Sequence, residues 1–382
     1  MGWLGALAAL ALIGIVLIDA FEAVILPRRV KHALRPARLF YRSGWRLWRA
    51  VACLLPVGRR RQTFLSIFGP LSLLGLLAVW AAGLIVGFAL LHWSLDTATS
   101  LPAGSGAGFA TYVYFSGTTF FTLGYGDVVP LDAPGRALSV IEAGLGFGFL
   151  AVVISYLPVI YQAFSNREIA ISLLDARAGS PPSAGELLRR LAVGRHPAGV
   201  APLLAEWERW AAQLLESHLS YPLLSYYRSQ HDNQSWVAAL TAALDTCALL
   251  IAGVDGPDGY QARLTFAMGR HAAVDLALVF QTPPRPPEPD RLPESDLPRL
   301  QKSLREAGLA VRDGPGVAKA LAELRALYEP FVNALADHFL FALPPFQPAA
   351  PPVDNWQTSA WMRRSPGLGG LPAAGTADEH FD

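Results

Sequence analysis

Residues Thr122-Leu123-Gly124-Tyr125-Gly126-Asp127 are the most informative stretch of this 382-residue chain, because they lie between two long apolar segments. Glycine at every second position lets the backbone enter the left-handed region of φ, which a Cβ atom disfavours. A backbone that alternates in this way can present successive carbonyl oxygens along one line. The stretch therefore predicts a loop whose main-chain oxygens are its functional groups.

Rows of backbone carbonyls can replace the water that a potassium ion loses when it enters a narrow pore. We expect such an ion-binding filter in the first five residues, with K⁺ at the first four: Thr122, Leu123, Gly124, Tyr125 and Gly126. Thr122 could add its hydroxyl at the inner mouth, Tyr125 could brace the loop from behind, and Asp127 would mark the outer mouth. The alternative is a plain glycine turn between hydrophobic helices.

The composition fits a chain that is partly in a membrane and partly soluble. Hydrophobic residues make up 52%, charged residues 16%, and the net charge is only +1. Nearly all basic residues are arginine, and alanine, glycine and proline abound, which is typical of bacteria with GC-rich genomes. Cys53 and Cys247 lie far apart, so we expect free thiols and neither a disulfide framework nor a cysteine zinc site.

Three apolar stretches are long enough to span a bilayer, which takes roughly 20 helical residues. The first, 1–27, lacks a basic start and a small-residue cleavage site, so we interpret it as a retained helix rather than a signal peptide. The other two are 64–93 and 136–164, in which Arg136 and Glu142 are the only charged residues. The filter stretch lies between these two helices.

The basic residues predict the orientation of the chain. Positions 28–61 hold eleven Arg or Lys and no acid, whereas 94–108 hold no Arg or Lys. Because cytoplasmic loops carry the positive charge, segment 28–63 is predicted to be cytosolic or interfacial. The N-terminus then lies outside the bacterial plasma membrane, and the chain from 166 onward lies in the cytoplasm.

Segment 28–61 also carries aromatic and basic residues at helical spacing. Phe40, Tyr41, Trp45, Trp48 and Val51 alternate there with Arg38, Arg42, Arg46 and Arg49. The pattern predicts an interfacial helix that could bind anionic lipid and make the pore sensitive to it. The alternative is an ordinary positive-inside anchor.

The filter, the helical run before it and the two flanking helices resemble the pore domain of two-transmembrane prokaryotic potassium channels, over roughly 64–165. The resemblance implies a pore helix at 109–121, a filter at 122–127, and a homotetramer in which four loops share one axis. The pore helix would aim the negative end of its dipole at a water-filled cavity.

The chain departs from this family at two positions. Phe121-Thr122 replaces the frequent Thr-Thr before the filter, although the ion-facing threonine is kept. Thr118 stands where some relatives have a glutamate that pairs with the filter aspartate, here Asp127. We therefore do not carry over the slow filter inactivation of those relatives.

Gly135-Arg136 stands where the family commonly has Gly-Arg at the start of the inner helix. This register puts a family hinge glycine at Gly146, and glycine would loosen the helix where an inner bundle splays. Close packing through small residues is the equal alternative. Pro158 would kink the helix near its cytoplasmic end, where a hydrophobic constriction could gate the pore. The residues expected to line the pore are Phe147, Ala151, Ile154 and Ser155.

Glu142 is a functional candidate, because a carboxylate in an apolar membrane helix is costly. It could hydrogen-bond the pore loop from behind and support the filter, or it could be hydrated at the outer interface or paired with Arg136.

Acidic residues at the inner end of the first helix have a structural explanation. Asp19 and Glu22 are expected to pair with Arg28 and Arg29. Since no helix carries arginine at every third position, we expect no voltage sensor.

Residues 166–345 are predicted to form an all-helical cytosolic regulatory domain. Apolar residues recur at helical spacing in 201–220, 235–252, 260–280, 298–309 and 316–341. Prolines make 282–298 a stiff acidic linker, and the Pro- and Gly-rich tail 346–382 is expected to be disordered. The predicted fold class is thus an all-α membrane protein with three transmembrane helices, a re-entrant pore helix and a helical cytosolic domain.

Enzyme motifs are weak in this chain. No G-x-G-x-x-G follows residue 165, and no phosphate loop or cyclic-nucleotide cassette is recognisable. Four sites faintly resemble a metal-dependent phosphohydrolase pattern, although histidines on helix surfaces explain them better: His218, His231-Asp232, His271 and Asp275.

The sequence therefore favours a potassium-selective channel without enzymatic activity, cofactor or nucleic-acid partner. K⁺ would be the permeant ion, and an unknown ligand could act on the cytosolic domain. The alternative is a membrane-anchored signalling or catalytic protein with a non-conducting pore-like segment. A multi-repeat transporter would need four pore loops in one chain, and this sequence has one.

Overall fold

The computed structural model describes residues 2–24, 36–100, 108–193, 199–230, 234–256 and 258–348. The chain is nearly all α-helical, which confirms the predicted fold class. It divides into two compact units. The first takes the residues up to Pro56 together with Thr63–Gln162, and the second takes Val57–Gln62 and the residues from Ala163 onward.

The first unit is built on five helices. They are α1 (Gly2–Val24), α2 (Pro36–Leu54), α3 (Arg59–Ser94), α4 (Phe109–Phe120) and α5 (Ala133–Ala178), of which α3 and α5 continue into the second unit. Helices α1, α3 and α5 are long and apolar enough to cross a membrane. Helix α4 is one residue shorter than the helix predicted at 109–121 and ends where the filter stretch begins.

Helix α1 uses one face for packing and leaves the other free. Its buried residues Ala6, Ala9, Ile13 and Val16 recur every three or four positions and join a core with α3. Small residues let two apolar helices approach closely where lipid offers no hydrophobic driving force. The opposite face exposes large apolar side chains: Trp3, Leu4, Leu7, Leu10 and Ile18. This exposed face is suited to contact with lipid tails.

Asp19 has two partners that the sequence did not predict. Its Oδ2 accepts hydrogen bonds from the backbone N–H of Ala37 and from Nε1 of Trp80, both at 2.9 Å. Asp19 thus ties α1 to the first turn of α2 and to α3, and a carboxylate at a helix N-terminus is favoured by the helix dipole. Arg28 and Arg29, the predicted partners, lie outside the described residues.

The aromatic face of α2 packs against α3. Trp45 is buried, with its ring 5.0 Å from that of Phe68, and Trp48 stacks on Phe64 at 4.4 Å. The opposite face is exposed and carries Arg38, Arg42 and Arg46 beside Leu39 and Leu47.

A short antiparallel ribbon, which the sequence did not predict, closes the loop after the filter. Strand β1 (Thr99–Ser100) pairs with β2 (Val129–Pro130). Asp132 then begins α5, since its Oδ1 accepts from the backbone N–H of Gly135 at 2.9 Å. The chain between the filter and α5 is therefore fixed at both ends.

The second unit is a helical bundle that contains the last part of α5. Seven further helices follow in the described residues: α6 (Ala184–Val193), α7 (Ala201–Ser220), α8 (Trp236–Gly253), α9 (Gly259–Phe280), α10 (Leu297–Glu306), α11 (Pro315–Ala326) and α12 (Glu329–Phe339). Helix α6 was not predicted, and the stretch predicted at 316–341 divides into α11 and α12. Helix α8 is apolar enough to span a membrane, but 94% of its most apolar window is buried inside the protein, so it is the core of this bundle.

The proline-rich segment 282–298 is held against the bundle by Arg291. This side chain pairs with Asp245 of α8 and with Glu329 of α12 and stacks on Phe346. Phe346 is fully buried, so packed structure continues past the predicted boundary at 345. The rest of the predicted disordered tail, from 349, lies outside the described residues.

Candidate functional site

The backbone between α4 and the ribbon alternates in conformation. Thr122, Gly124 and Gly126 have positive φ angles of 54°, 58° and 80°, whereas Leu123 and Tyr125 do not. Glycine adopts this region without a steric penalty, and threonine does so only when its surroundings hold it there. The alternation expected from the two glycines thus begins two residues before the first of them, at Thr122.

Hydrogen bonds to the end of α4 hold the start of this loop. The backbone N–H of Thr122 donates to Thr119 O at 3.0 Å, and that of Leu123 donates to Thr118 O at 2.8 Å. The N–H of Gly124 also points at Thr118 O, at 3.4 Å. The donors of the loop are therefore turned toward the carbonyl end of α4.

The carbonyls of the same loop are left available. Within the described part of the chain, no hydrogen bond uses the carbonyl oxygens of residues 122–126 as acceptors. All six residues from Thr122 to Asp127 are exposed in a single chain. Unpaired carbonyls that are accessible in this way are able to coordinate a cation.

The side chain of Asp127 is held by Tyr114 of α4 and not by Thr118, the position to which the resemblance points. Its Oδ2 accepts a hydrogen bond from the hydroxyl of Tyr114 at 2.9 Å, and its Oδ1 accepts from the N–H of Val128 at 3.1 Å. The hydroxyl of Thr118 donates instead to Phe115 O within α4. Thr118 acts on the loop through its backbone carbonyl.

Glu142 is fully buried against α4. Its carboxyl group hydrogen-bonds the hydroxyl of Ser116, which is also fully buried. Arg136, the alternative partner, donates from Nε to Pro130 O at 3.3 Å. Glu142 thus contacts the helix that carries the loop and not the loop itself, and its role as a filter support stays a prediction.

Gly146 lies one turn after Glu142 and touches the same helix. A Cβ added to Gly146 would stand 1.9 Å from the carbonyl oxygen of Phe120, so only glycine fits there. The contact supports the packing alternative for this glycine. The hinge role stays a prediction.

The residues predicted to line a pore lie on one exposed face of α5. This face carries Phe147, Ala151, Ile154, Ser155 and Pro158. Phe147 and Ile154 are 69% and 63% exposed, and the hydroxyl of Ser155 donates back to Ala151 O. The helix continues through Pro158 to Ala178. The pore-lining role of this face stays a prediction.

The faint hydrolase pattern is not assembled in the second unit. His218 is buried, where its Nδ1 donates to Leu214 O at 2.8 Å and its Nε2 faces Arg167. Burial, reinforced by the Arg167 guanidinium, lowers the pKa of His218 well below 6.5. Among the described residues no three His, Cys, Asp or Glu side chains could together hold a metal. His231 and Asp232 lie outside those residues.

Sequence reasoning missed three side chains near the loop. They are Tyr114, Ser116 and His92. A hydroxyl on an apolar helix is common, and nothing in the local pattern marks its partner. The one available signal was Glu142 itself, since a buried acid requires a polar neighbour on whichever helix faces it.

Comparisons with known proteins agree with a membrane channel domain. Residues 75–162 match the model of a family described as "Ion channel". The chain is also 28% identical, over 275 residues, to the uncharacterised membrane protein YdjJ of Bacillus subtilis (strain 168), which covers 68% of this chain and 76% of the relative. No solved structure matches the chain significantly. The chain is thus a multi-pass membrane protein in which residues 75–162 are similar to an ion channel family.

Proposed function

We propose that this protein is a potassium-selective channel that conducts K⁺ passively through a tetrameric pore. The observation that carries the proposal is the loop Thr122–Gly126, in which positive φ alternates along the chain and the carbonyl oxygens accept no hydrogen bond from the residues that the structure describes. Oxygens arranged at successive levels replace the hydration shell of K⁺, whereas a plain turn needs no such alternation. The ion channel match over 75–162 includes this loop.

Four chains are required because one loop supplies oxygens on one side only. The side chains of Phe121, Leu123 and Tyr125 are 57%, 55% and 69% exposed in one chain. Large apolar and aromatic side chains exposed together at one loop indicate a surface that other protein covers. Neighbouring copies of this loop are the simplest such cover, with Tyr125 bracing the filter from behind.

The exposed face of α5 would form the inner wall of the pore. Phe147, Ala151, Ile154 and Ser155 would line it, and Pro158 would lie near a gate at the cytoplasmic end. Gly146 would keep α5 against the filter end of α4, with bending confined to the rest of the helix. A ring of apolar side chains at this level can close a pore by dewetting.

The positive segment 28–61 supports an N-terminus outside the bacterial plasma membrane and a cytoplasmic second unit. The exposed arginine face of α2 would then contact anionic lipid headgroups. The second unit is proposed as a regulatory domain without enzymatic activity, which a cytosolic ligand could act on. No voltage sensor is expected.

The test is ion flux from purified protein in liposomes, with K⁺ compared with Na⁺. Gly124→Ala forces a Cβ onto a residue with φ of 58°, so we expect K⁺ flux to be lost. Gly108→Ala is the matched control, because Gly108 precedes α4 with an ordinary φ of −87° and has open space for a Cβ.

K⁺ flux that exceeds Na⁺ flux, disappears in Gly124→Ala and survives in Gly108→Ala would establish the channel. Equal flux of both ions would leave a cation channel without potassium selectivity. Absence of flux across pH and lipid compositions would favour the non-conducting, membrane-anchored alternative.

A further inference from the structure

A cluster of buried polar side chains lies behind α4, away from the exposed filter loop. Its members are His92 of α3, Ser116 of α4 and Glu142 of α5, all with no exposed surface. Fully buried ionisable side chains in membrane helices are expensive and are kept where they have a role. The cluster joins three helices at one point.

Ser116 has more acceptors than it has hydrogens. Its Oγ lies 2.8 Å from Ile85 O and also hydrogen-bonds Oε1 of Glu142. A hydroxyl carries one hydrogen, and a backbone carbonyl can only accept. Both bonds exist together when the hydroxyl donates to Ile85 O and the carboxyl group of Glu142 donates to Ser116. That arrangement requires a proton on Glu142.

The second carboxyl oxygen leads to the same assignment. Within the described residues, Oε2 of Glu142 has no hydrogen-bond partner, and no Lys or Arg forms an ion pair with it. A carboxylate here would bury an uncompensated charge, which costs far more than a buried neutral acid. A neutral carboxylic acid at Glu142 is compatible with both hydrogen bonds of Ser116.

His92 faces this second oxygen. Its Nδ1 lies 3.0 Å from Oγ1 of Thr97, and its Nε2, which has no partner among the described residues, lies 4.0 Å from Oε2 of Glu142. The hydroxyl of Thr97 has two acceptors, Nδ1 of His92 at 3.0 Å and the backbone oxygen of His92 at 3.3 Å. When it donates to Nδ1, the nearer of the two, the hydrogen of the neutral ring is on Nε2, the nitrogen that faces Glu142. In the loop before α5, Asp132 is a charged group that interacts electrostatically with His92.

The contacts between α4 and α5 repeat after one helical turn. Ser116 meets Glu142, and four residues later on each helix Phe120 meets Gly146. Positions four apart lie on the same face of a helix, so the two contacts form one seam. The seam ends at Phe120, two residues before the filter loop begins.

We propose that Glu142 acts as a neutral carboxylic acid which donates to Ser116, and that His92 is its second partner. These two positioning residues then hold α4, and with it the loop Thr122–Gly126, in the conducting geometry. The positioning role rests on the proposed channel function, whereas the protonation of Glu142 does not depend on it.

The protonation is tested by infrared spectroscopy of the full-length protein in liposomes at neutral pH. A difference spectrum between wild type and Glu142→Gln is expected to contain the C=O stretch of a protonated carboxylic acid. Ser116→Ala is expected to shift that band, because the acid loses its acceptor. A difference spectrum with carboxylate bands alone would overturn the proposal, whether or not the protein conducts.

The positioning role is tested by flux of the same variants. Glu142→Gln keeps an N–H donor for Ser116 and should retain wild-type selectivity for K⁺ over Na⁺. Glu142→Ala should lower the K⁺/Na⁺ flux ratio by about tenfold, which corresponds to about 1.4 kcal/mol, the worth of one hydrogen bond. Equal ratios in the Gln and Ala variants would refute the role of the hydrogen bond.

A double-mutant cycle tests whether His92 and Glu142 act together. His92→Ala should lower the flux ratio in the wild-type background and have little further effect in Glu142→Ala, because the two side chains act together. Purely additive effects would remove His92 from the proposal. A wild-type protein without selective flux would refute the channel, and the infrared band would still decide the state of Glu142.

Discussion

Gly146 of α5 and Phe120 of α4 are in backbone contact, so close that a Cβ on the glycine would lie 1.9 Å from the Phe120 carbonyl oxygen. Phe120 is the last residue of α4, and the loop with alternating φ angles starts two residues later. A glycine in the middle of a long helix therefore sets how near the filter end of α4 comes to α5. The contact is rigid, because both partners are backbone.

Gly146→Ala should disrupt this contact. The methyl group cannot be accommodated without moving α4, and overpacking typically costs roughly 1–3 kcal/mol. We expect a lower thermal midpoint of the purified protein and loss of K⁺ flux. Gly144→Ala is the control, since a Cβ at Gly144 meets nothing within 4 Å. Similar midpoints and fluxes in the two variants would contradict the rigid contact.

Tyr114→Phe should weaken the outer end of the loop. The change removes the 2.9 Å hydrogen bond to Asp127 and keeps the ring. Since this hydrogen bond orients the Asp127 carboxyl group at the end of the loop, we expect a lower K⁺ flux and a lower K⁺/Na⁺ ratio in liposomes. Tyr161→Phe, at an exposed position of α5, should match the wild type. An unchanged ratio in Tyr114→Phe would show that Asp127 needs no partner from α4.

Arg291→Met should destabilise the second unit strongly. Arg291 is 8% exposed and pairs with Asp245, which is fully buried in α8. Burial raises the pKa of the Tyr328 hydroxyl well above its ordinary value, so this hydroxyl stays protonated and donates to Asp245, but it carries no positive charge. Removal of the arginine leaves a buried charge unpaired, at a cost of about 3–5 kcal/mol.

The control for Arg291 comes from the same proline-rich segment. Arg285 pairs with Asp337 at 3.2 Å, with the two side chains 60% and 47% exposed. Exposed pairs contribute about 0–1 kcal/mol, so Arg285→Met should leave chemical denaturation of the full-length protein almost unchanged. If Arg291→Met also changed the denaturation only slightly, the stability of the second unit would not depend on the buried pair of Arg291 and Asp245.

The second unit should lose stability on acidification because of His218. The pKa of this histidine is lowered in the folded state, so below about pH 6.5 the unfolded chain binds a proton that the folded chain does not. Stability is fully present above that pH and falls as the pH decreases, by up to about 1.4 kcal/mol per pH unit from this group.

The measurement is the thermal midpoint, followed by tryptophan fluorescence, at pH 7.5 and at pH 5.5, values on either side of about 6.5, the ordinary pKa of histidine. His218→Gln keeps an acceptor for Arg167 and cannot be protonated, so it should reduce the difference between the two midpoints. His271→Gln, at an exposed position, should leave the difference as in the wild type. The same pH effect in all three proteins would exclude His218 as its source.

Much of the fold could be predicted because its signals are local. An apolar stretch of sufficient length predicts a membrane helix by itself, and α1, α3 and α5 cover the three stretches that were singled out. Helices α7, α8 and α9 likewise cover predicted stretches, because helical periodicity is a property of neighbouring residues. The break between α11 and α12 was not predicted. Pro330 lies at the start of α12, where proline fits the first turn of a helix, but proline can also end a helical pattern, so the residue alone did not locate the break.

The partners of polar side chains could not be predicted in the same way. Asp19 hydrogen-bonds Trp80, 61 residues away, and nothing in the sequence near Asp19 indicated this partner. The resemblance pointed to position 118 as the family's partner of Asp127, whereas the hydroxyl of Tyr114 makes this hydrogen bond here. In each case the sequence is compatible with several hydrogen-bond donors to the carboxyl group, and the packing of the helices determines which donor reaches it.

The sequence by itself determined the membrane helices and the alternating loop, because apolar length and glycine spacing act within a few residues. Only the tertiary structure decided that Gly146 is a packing position and that Glu142 meets Ser116 and His92. These contacts depend on the rotation and the depth at which three helices meet. That geometry results from the packing of all their side chains at once, and no single segment contains it.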